Sequence, residues 1–222
     1  MTKKHLKRYK APKNWPIARK GKTFVVRPNA NLKLGVPILI ILRDMLKIAA
    51  NRKEVKKAIR SEKILLNNKK IKDEKNSASI FDVISDKANK KNHRLILDKH
   101  RKFSVEEVSE KETLKKPVKI INKKILKGKK LQLNLFDGRN VLSNVKCKTN
   151  DSLLINLLDK KIEKCLELKE KANVFVFGGK HAGARGIIKK IDLENKMVEI
   201  EPKKEFEKNK IHVLIKQIMV VE

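Results

Sequence analysis

A β-rich α+β fold is what this sequence predicts, and three observations carry the prediction. Apolar residues recur at helical spacing only between Ile38 and Glu62. From Lys63 onward, short alternating apolar runs are separated by Asn, Asp and Gly turn signals. Residues 1–43 carry twelve Lys/Arg and no Asp/Glu, with little periodicity of either kind. The expected architecture is a basic amino-terminal arm (1–36), a helix-helix-hairpin module (37–103), a central mostly-β domain (104–171) and a small carboxy-terminal β domain (172–222).

The arm contains Pro12, Pro16 and Pro28 and no carboxylate, so it is predicted to be irregular and to gain order mainly from the surface it binds. Trp15 reads either as a platform for a stacked base or as a residue buried on the adjoining helical module. After the arm, Ile38, Ile41, Leu42, Met45 and Ala49 fall on one helical stripe. A second helix is predicted over Asn51–Glu62, with Asn51 as its cap. It buries Val55, Ala58 and Ile59, and it aligns Arg52, Lys56 and Arg60 at successive i+4 steps as a cationic ridge. Two short strands, Lys63–Leu66 and Lys69–Lys72, are joined by Asn67 and Asn68, which tolerate the left-handed backbone of a tight hairpin. Ser104–Leu114 reads as a short acidic helix. Turns at Lys127-Gly128 and Asp137-Gly138 then punctuate a run of strands, and DSLLINLLDKKIEKCLEL supplies another pair.

Net charge of +32 on 222 residues, with a pI near 10.2, calls for a polyanionic partner, and nucleic acid is the default. A membrane span is excluded: the longest apolar run, Val36–Leu42, is stopped by Arg43 and Asp44, well short of about 20 residues. That run also lies too far from Met1 to be a secretory signal. Cys147 and Cys165 form no C-x-x-C pair and read as two ordinary thiols. The five histidines are scattered, and no paired-carboxylate, H-E-x-x-H or G-x-S-x-G signature is present, so neither a catalytic residue nor a metal or cofactor site is expected.

The stretch VFVFGGKHAGARGIIKKI (174–191) tests the remaining nucleotide-binding possibility. Gly178 and Gly183 have P-loop separation, but Ala184 and Arg185 occupy the lysine and hydroxyl positions that the chemistry requires. Gly179, Gly183 and Gly186 do not make a dinucleotide fingerprint either, and Ile187–Ile191 alternates as a strand and not as a helix. The stretch is therefore predicted to be strand, loop, strand. Its four glycines are expected to allow positive φ and close approach of backbone to RNA, with Lys180, His181 and Arg185 projecting toward phosphates.

A resemblance then covers nearly the whole chain. KHLKRYKAPKNWPIARK (4–20), FVVRP, PILIILRDMLKIAANRKEVKKAI, FDVIS (81–85), HRLILDKHRKF (93–103), LQLNLFDGRNVL (131–142) and DSLLINL (151–157) stand in order. The chain thereby resembles the e-type small-subunit ribosomal protein four family of archaea and eukaryotes. It departs from the family pattern at Asn67-Asn68, at Phe136 and in PNANLKL (28–34). The resemblance implies that the helices and hairpin form an RNA-binding domain shared with the bacterial protein of the same number. It also implies that residues 174–191 are a KOW element within an SH3-like barrel.

The function so implied is that of a structural, non-enzymatic constituent of the small ribosomal subunit, located on cytoplasmic ribosomes. Its partners would be 16S-type rRNA and neighbouring small-subunit proteins. The RNA contacts expected on the arm are Lys3, Lys4, His5, Lys7, Arg8, Lys10, Lys13, Trp15, Arg19, Lys20, Lys22 and Arg27. Arg43 and the ridge residues Arg52, Lys53, Lys56, Lys57 and Arg60 come next, then Lys69 and Lys70 of the hairpin, then Lys180, His181 and Arg185. A KOW-type RNA chaperone or translation or transcription factor is the alternative class. An RNA-modifying enzyme is a third, for which the remaining residues leave no catalytic domain.

Overall fold

The arm is tied down by its own contacts in the computed structural model, which describes residues 5–143, 145–159, 161–202 and 210–222. Strand β1 (Leu6–Lys7) pairs antiparallel with β2 (Phe24–Val25). The Arg8 guanidinium bonds the carbonyls of Ala18 and Lys22 at 2.7 and 2.8 Å, closing the loop between them. Trp15 is 2% exposed and donates its indole N–H to the Gly35 carbonyl at 3.1 Å. The arm is largely irregular, as expected, but these contacts correct the expectation that it gains order mainly from the surface it binds. Two-residue strands carry too little periodicity to read from sequence, and Trp15 supplies enough apolar area to anchor the segment.

Strand β3 (Gly35–Pro37) leads into α1 (Ile38–Ile40), which continues as a single π-helical turn over Ile41–Met45. All five residues of the run Ile38–Leu42 are buried, so this helix sits inside the core and ends earlier than its stripe predicted, with Ala49 lying beyond it. Helix α2 (Arg52–Arg60) begins as expected: Asn51 Oδ1 accepts from the Glu54 amide at 3.0 Å, and Glu54 reaches back to the Ala50 amide at 2.7 Å. Strand β4 (Ile64–Leu66) turns through Asn67 and Asn68, with φ of 51° and 62°, into β5 (Lys69–Lys70). Strand β6 (Ser77–Ser79) pairs with β3. Strands β7 (Val83–Asp86), β8 (Lys91–Leu97) and β9 (Phe103–Glu107) complete a sheet of order β5-β4-β7-β8-β9.

Strand β9 corrects two expectations. Residues 104–107 are not helical: Phe103 and Val105 pair with Leu97 and Leu95, so the apolar alternation wins over the acidic composition. The helix is confined to α3 (Glu110–Thr113). These residues consequently join the preceding unit, which runs through Leu97 and includes Lys102–Leu114, and the expected boundary at 103/104 moves to 114/115.

The second unit comprises Asp98–Arg101 and Lys115–Glu222. Strand β10 (Lys115–Ile125), β11 (Leu131–Leu135), β12 (Asn140–Leu142), β13 (Ser152–Asn156) and β14 (Ile162–Leu166) form one antiparallel sheet of order β12-β11-β10-β13-β14. Gly128 and Gly138 turn its hairpins at φ of 77° and 85°, where the sequence placed them. Strands β15 (Asn173–Val176), β16 (Arg185–Asp192), β17 (Met197–Pro202), β18 (Ile211–Leu214) and β19 (Ile218–Val220) form another, of order β18-β17-β16-β15-β19. Each sheet has its own apolar cluster, Val118, Ile120, Leu133 and Leu153 under the first, Val174, Val176, Ile188 and Val198 under the second.

Within this unit the two sheets are stitched together. Ser152 Oγ accepts from the Val220 amide at 2.9 Å. The buried Lys119 ammonium donates to the carbonyls of Ile215 and of Ile218, the latter at 2.9 Å. Burial pushes the Lys119 pKa down to about 8. Cys147 and Cys165 are joined as a disulfide, with Cα atoms 6.2 Å apart, where two independent thiols were expected. The loop after β12 folds back over β14 and brings them into the same cluster.

Candidate nucleic-acid interface

Eleven of the side chains predicted to meet RNA gather in two places, one in each unit. In the first, the arm, α1 and the start of α2 enclose a groove of about 1470 Å³. His5, Arg8, Lys20, Lys22, Arg27, Arg43, Arg52 and Lys53 all line it, as does Lys75, which no sequence pattern singles out. Asp44 is the one carboxylate on this lining.

The groove's cations differ in what holds them. The Arg8 fork is occupied by the Ala18 and Lys22 carbonyls. Arg43 grips Asp44 through two hydrogen bonds of 2.9 and 2.8 Å, which raise the Arg43 pKa. Arg52 bonds Glu74, and Lys56 reaches the same carboxylate at 3.8 Å. Glu74 is 3% exposed; burial pushes its carboxyl up, but hydrogen bonds from Asp73 and Arg52 outweigh this and hold it at about 2. Part of the ridge therefore clamps α2 to the loop before β6. Lys53, Lys57 and Arg60 extend from the same helix into solvent.

Outside the groove lining, Lys7, Lys10, Lys13 and Arg19 are exposed, with Lys10 lying 5.7 Å from the Tyr9 ring centre. Lys69 and Lys70 are exposed on β5, and Lys70 pairs with Glu62 at 2.6 Å. Trp15, buried against Gly35, presents no face to a base, which corrects its inclusion among the RNA contacts. Lys3 and Lys4 lie outside the described residues.

The second cluster is the β15–β16 loop. The Gly183 amide donates to the Val176 carbonyl at 2.7 Å and the Ala184 amide to the His181 carbonyl at 3.1 Å, which close the loop tightly. Gly179 and Gly183 take positive φ, 83° and 97°. Gly186 does not. It is glycine because a Cβ would press into the Glu201 carbonyl of the neighbouring strand. The expectation of four permissive glycines thus resolves into two turn positions and one close approach, with Gly178 needing neither. Lys180 and Arg185 are exposed and His181 is half-buried.

Comparison with known proteins adds the lineage of this arrangement. Residues 89–162 match the ribosomal family S4e and residues 2–30 the RS4NT (NUC023) domain. The small ribosomal subunit protein eS4 of Methanocella arvoryzae is 34% identical over 219 residues, covering 95% of this chain and 93% of that protein. The chain belongs to the eS4 family. The eS4 protein of Methanococcus vannielii is 37% identical across 82% of this chain and 78% of its own length. The crystal structure of 30S ribosomal protein S4e from Thermoplasma acidophilum shares the fold, with a TM-score of 0.72, 20% identity, and coverage of 85% of this chain and 95% of that one. Among the described residues of this eS4-family chain, no group of three or more His, Cys, Asp or Glu is placed to hold a metal, and no helix is long and apolar enough to cross a membrane.

Proposed function

We propose that this eS4-family chain, a structural constituent of the small ribosomal subunit and not an enzyme, binds 16S-type rRNA by neutralising its phosphates along the arm groove, the exposed part of α2 and the β15–β16 loop. The observation that carries the reading is the convergence of seven of the predicted Lys/Arg contacts, with His5, on one groove whose lining holds a single carboxylate. Contacts of this kind position a protein without reading sequence, so site choice falls to RNA shape and a few unpaired bases.

The finer assignments obey the same logic. The α1–α2 pair with the β4–β5 hairpin acts as an RNA-binding domain of the bacterial S4 type, and the five strands from β15 to β19 act as a KOW-bearing, SH3-like module. Lys180, His181 and Arg185 present that module's loop to phosphate. Neighbouring small-subunit proteins, within cytoplasmic ribosomes, complete its surroundings. Titration of the chain with an rRNA fragment at increasing salt tests the mechanism: log affinity should fall by about 0.7–0.9 per phosphate contact for each decade of salt. A total slope shallower than about three is incompatible with an extended phosphate-binding surface.

A further inference from the structure

Aromatic residues make up only 4% of the chain; among the described residues Trp15, Phe81, Phe103 and Phe175 are buried and Phe136 and Phe177 half-buried. Among the described residues, Tyr9 and Phe24 are the aromatics left far out in solvent, 73% and 57% exposed, and both lie on the arm, within the stretch that contains no acidic residue. An apolar ring of this size gains from being covered, and its flat π face is the surface on which a nucleobase stacks.

Phe24 lies on the groove lining. Its ring stands 5.7 Å from that of His5, and across β1–β2 it faces Lys7. Lys20, Lys22, Lys53 and Lys75 converge on the same groove from three separate segments, and none of their ammonium groups makes an ion pair among the described residues. The groove's volume of about 1470 Å³ exceeds the roughly 300–1,000 Å³ usual for a small-molecule site, so it suits a length of chain. An A-form duplex keeps its bases stacked inside and presents phosphates on a convex surface. Only an unpaired strand offers phosphates and free base faces together.

We propose that the arm groove receives a single-stranded rRNA segment, with one unpaired base stacked on Phe24 beside His5 and the flanking phosphates held by Lys20, Lys22, Lys53 and Lys75. The proposal rests on the rRNA-binding function proposed for the chain and names the RNA form this groove takes.

The full chain is titrated with a single-stranded RNA oligonucleotide carrying a fluorescent purine analogue, and separately with an RNA duplex of equal length. Binding of the single strand by the wild-type chain should quench the analogue. Phe24→Ala and Phe24→Leu should weaken single-strand binding by about five- to a hundredfold and abolish the quenching, with the loss confined to the single strand, whereas Phe24→Tyr should retain both. Because Phe24 is exposed, thermal melts of these variants should superimpose on wild type. The Leu variant also keeps the apolar bulk on β2, so a loss there belongs to the ring face.

Unchanged single-strand affinity and quenching in both Phe24→Ala and Phe24→Leu would overturn the inference while leaving phosphate binding standing. Equal displacement of the single strand by polyglutamate at matched charge would also overturn it, since the groove would then be reading charge alone. A wild-type chain that binds neither RNA form would remove the rRNA reading and this inference together.

Discussion

Lys119→Met removes a buried ammonium whose energetics can be worked from its surroundings. In the wild type, the unfolded chain holds this proton up to its ordinary value of 10.5, and the folded chain gives it up near 8. Between those values the unfolded state binds more protons, so stability rises with pH. At about 1.4 kcal/mol per pH unit, the group adds about 3 kcal/mol of stability between pH 8 and 10.5, all of it missing below pH 8. Methionine does not titrate and has no such rise.

At neutral pH two effects oppose in the variant. It is relieved of a desolvated charge, yet it leaves the Ile218 carbonyl without this donor, at about 1–3 kcal/mol, while the Ile215 carbonyl still accepts from the Ile218 amide. Urea unfolding of both proteins at a series of pH values gives the difference directly, because the other lysines titrate equally in each. The wild-type advantage should grow by about 3 kcal/mol from pH 8 to 10.5. A difference that stays flat within about 1 kcal/mol would show that Lys119 is solvated in the folded protein and that β10 is not held to the β18–β19 turn in this way.

Four further outcomes are expected. Gly186→Ala should lower stability by about 1–3 kcal/mol in a thermal melt, because its methyl meets Glu201 backbone, whereas Gly178→Ala should change little, its Cβ falling 3.5 Å from the flexible Gln217 side chain. Replacing Lys180 and Arg185 together by alanine should reduce the salt slope of rRNA binding by about 1.4–1.8 with the fold retained; an unchanged slope would make that loop purely architectural. Trp15, the sole tryptophan, should emit as a buried indole in the free protein and resist acrylamide quenching with or without RNA. Glu74→Gln should release Arg52 and Lys56, steepening the salt slope by about 0.7–0.9 for each cation that gains a phosphate, while destabilising α2; a slope no steeper than wild type contradicts the clamp.

What was legible in the sequence was local chemistry. The Asn51 cap, the Asn67-Asn68 turn and the Asp137-Gly138 hairpin each depend on residues within a few positions of one another, and each formed as read. Seven of the groove's Lys/Arg side chains were likewise among the expected contacts because charge is visible in composition. The features that escaped join distant parts of the chain. Trp15 finds the Gly35 carbonyl twenty residues away, Arg52 finds Glu74 across twenty-two, and Lys119 meets Ile215 across ninety-six. Strand β9 was lost to a different conflict, since its glutamates suggested a helix while Phe103 and Val105 carried the period that decides pairing. Phe24 begins the FVVRP motif, yet no local pattern assigns it a role, and its exposure beside His5 is visible only in the structure.

The central claim is that this chain is an integral, RNA-held part of the small ribosomal subunit. Quantitative mass spectrometry of small subunits, purified through a gradient at a salt concentration that strips loosely associated factors, tests it most directly. The account predicts one copy of the chain per subunit, released only when the rRNA is unfolded or digested. A chain recovered mostly in the free fraction, with subunits that remain intact without it, would contradict the account and mark the protein as a dissociable factor.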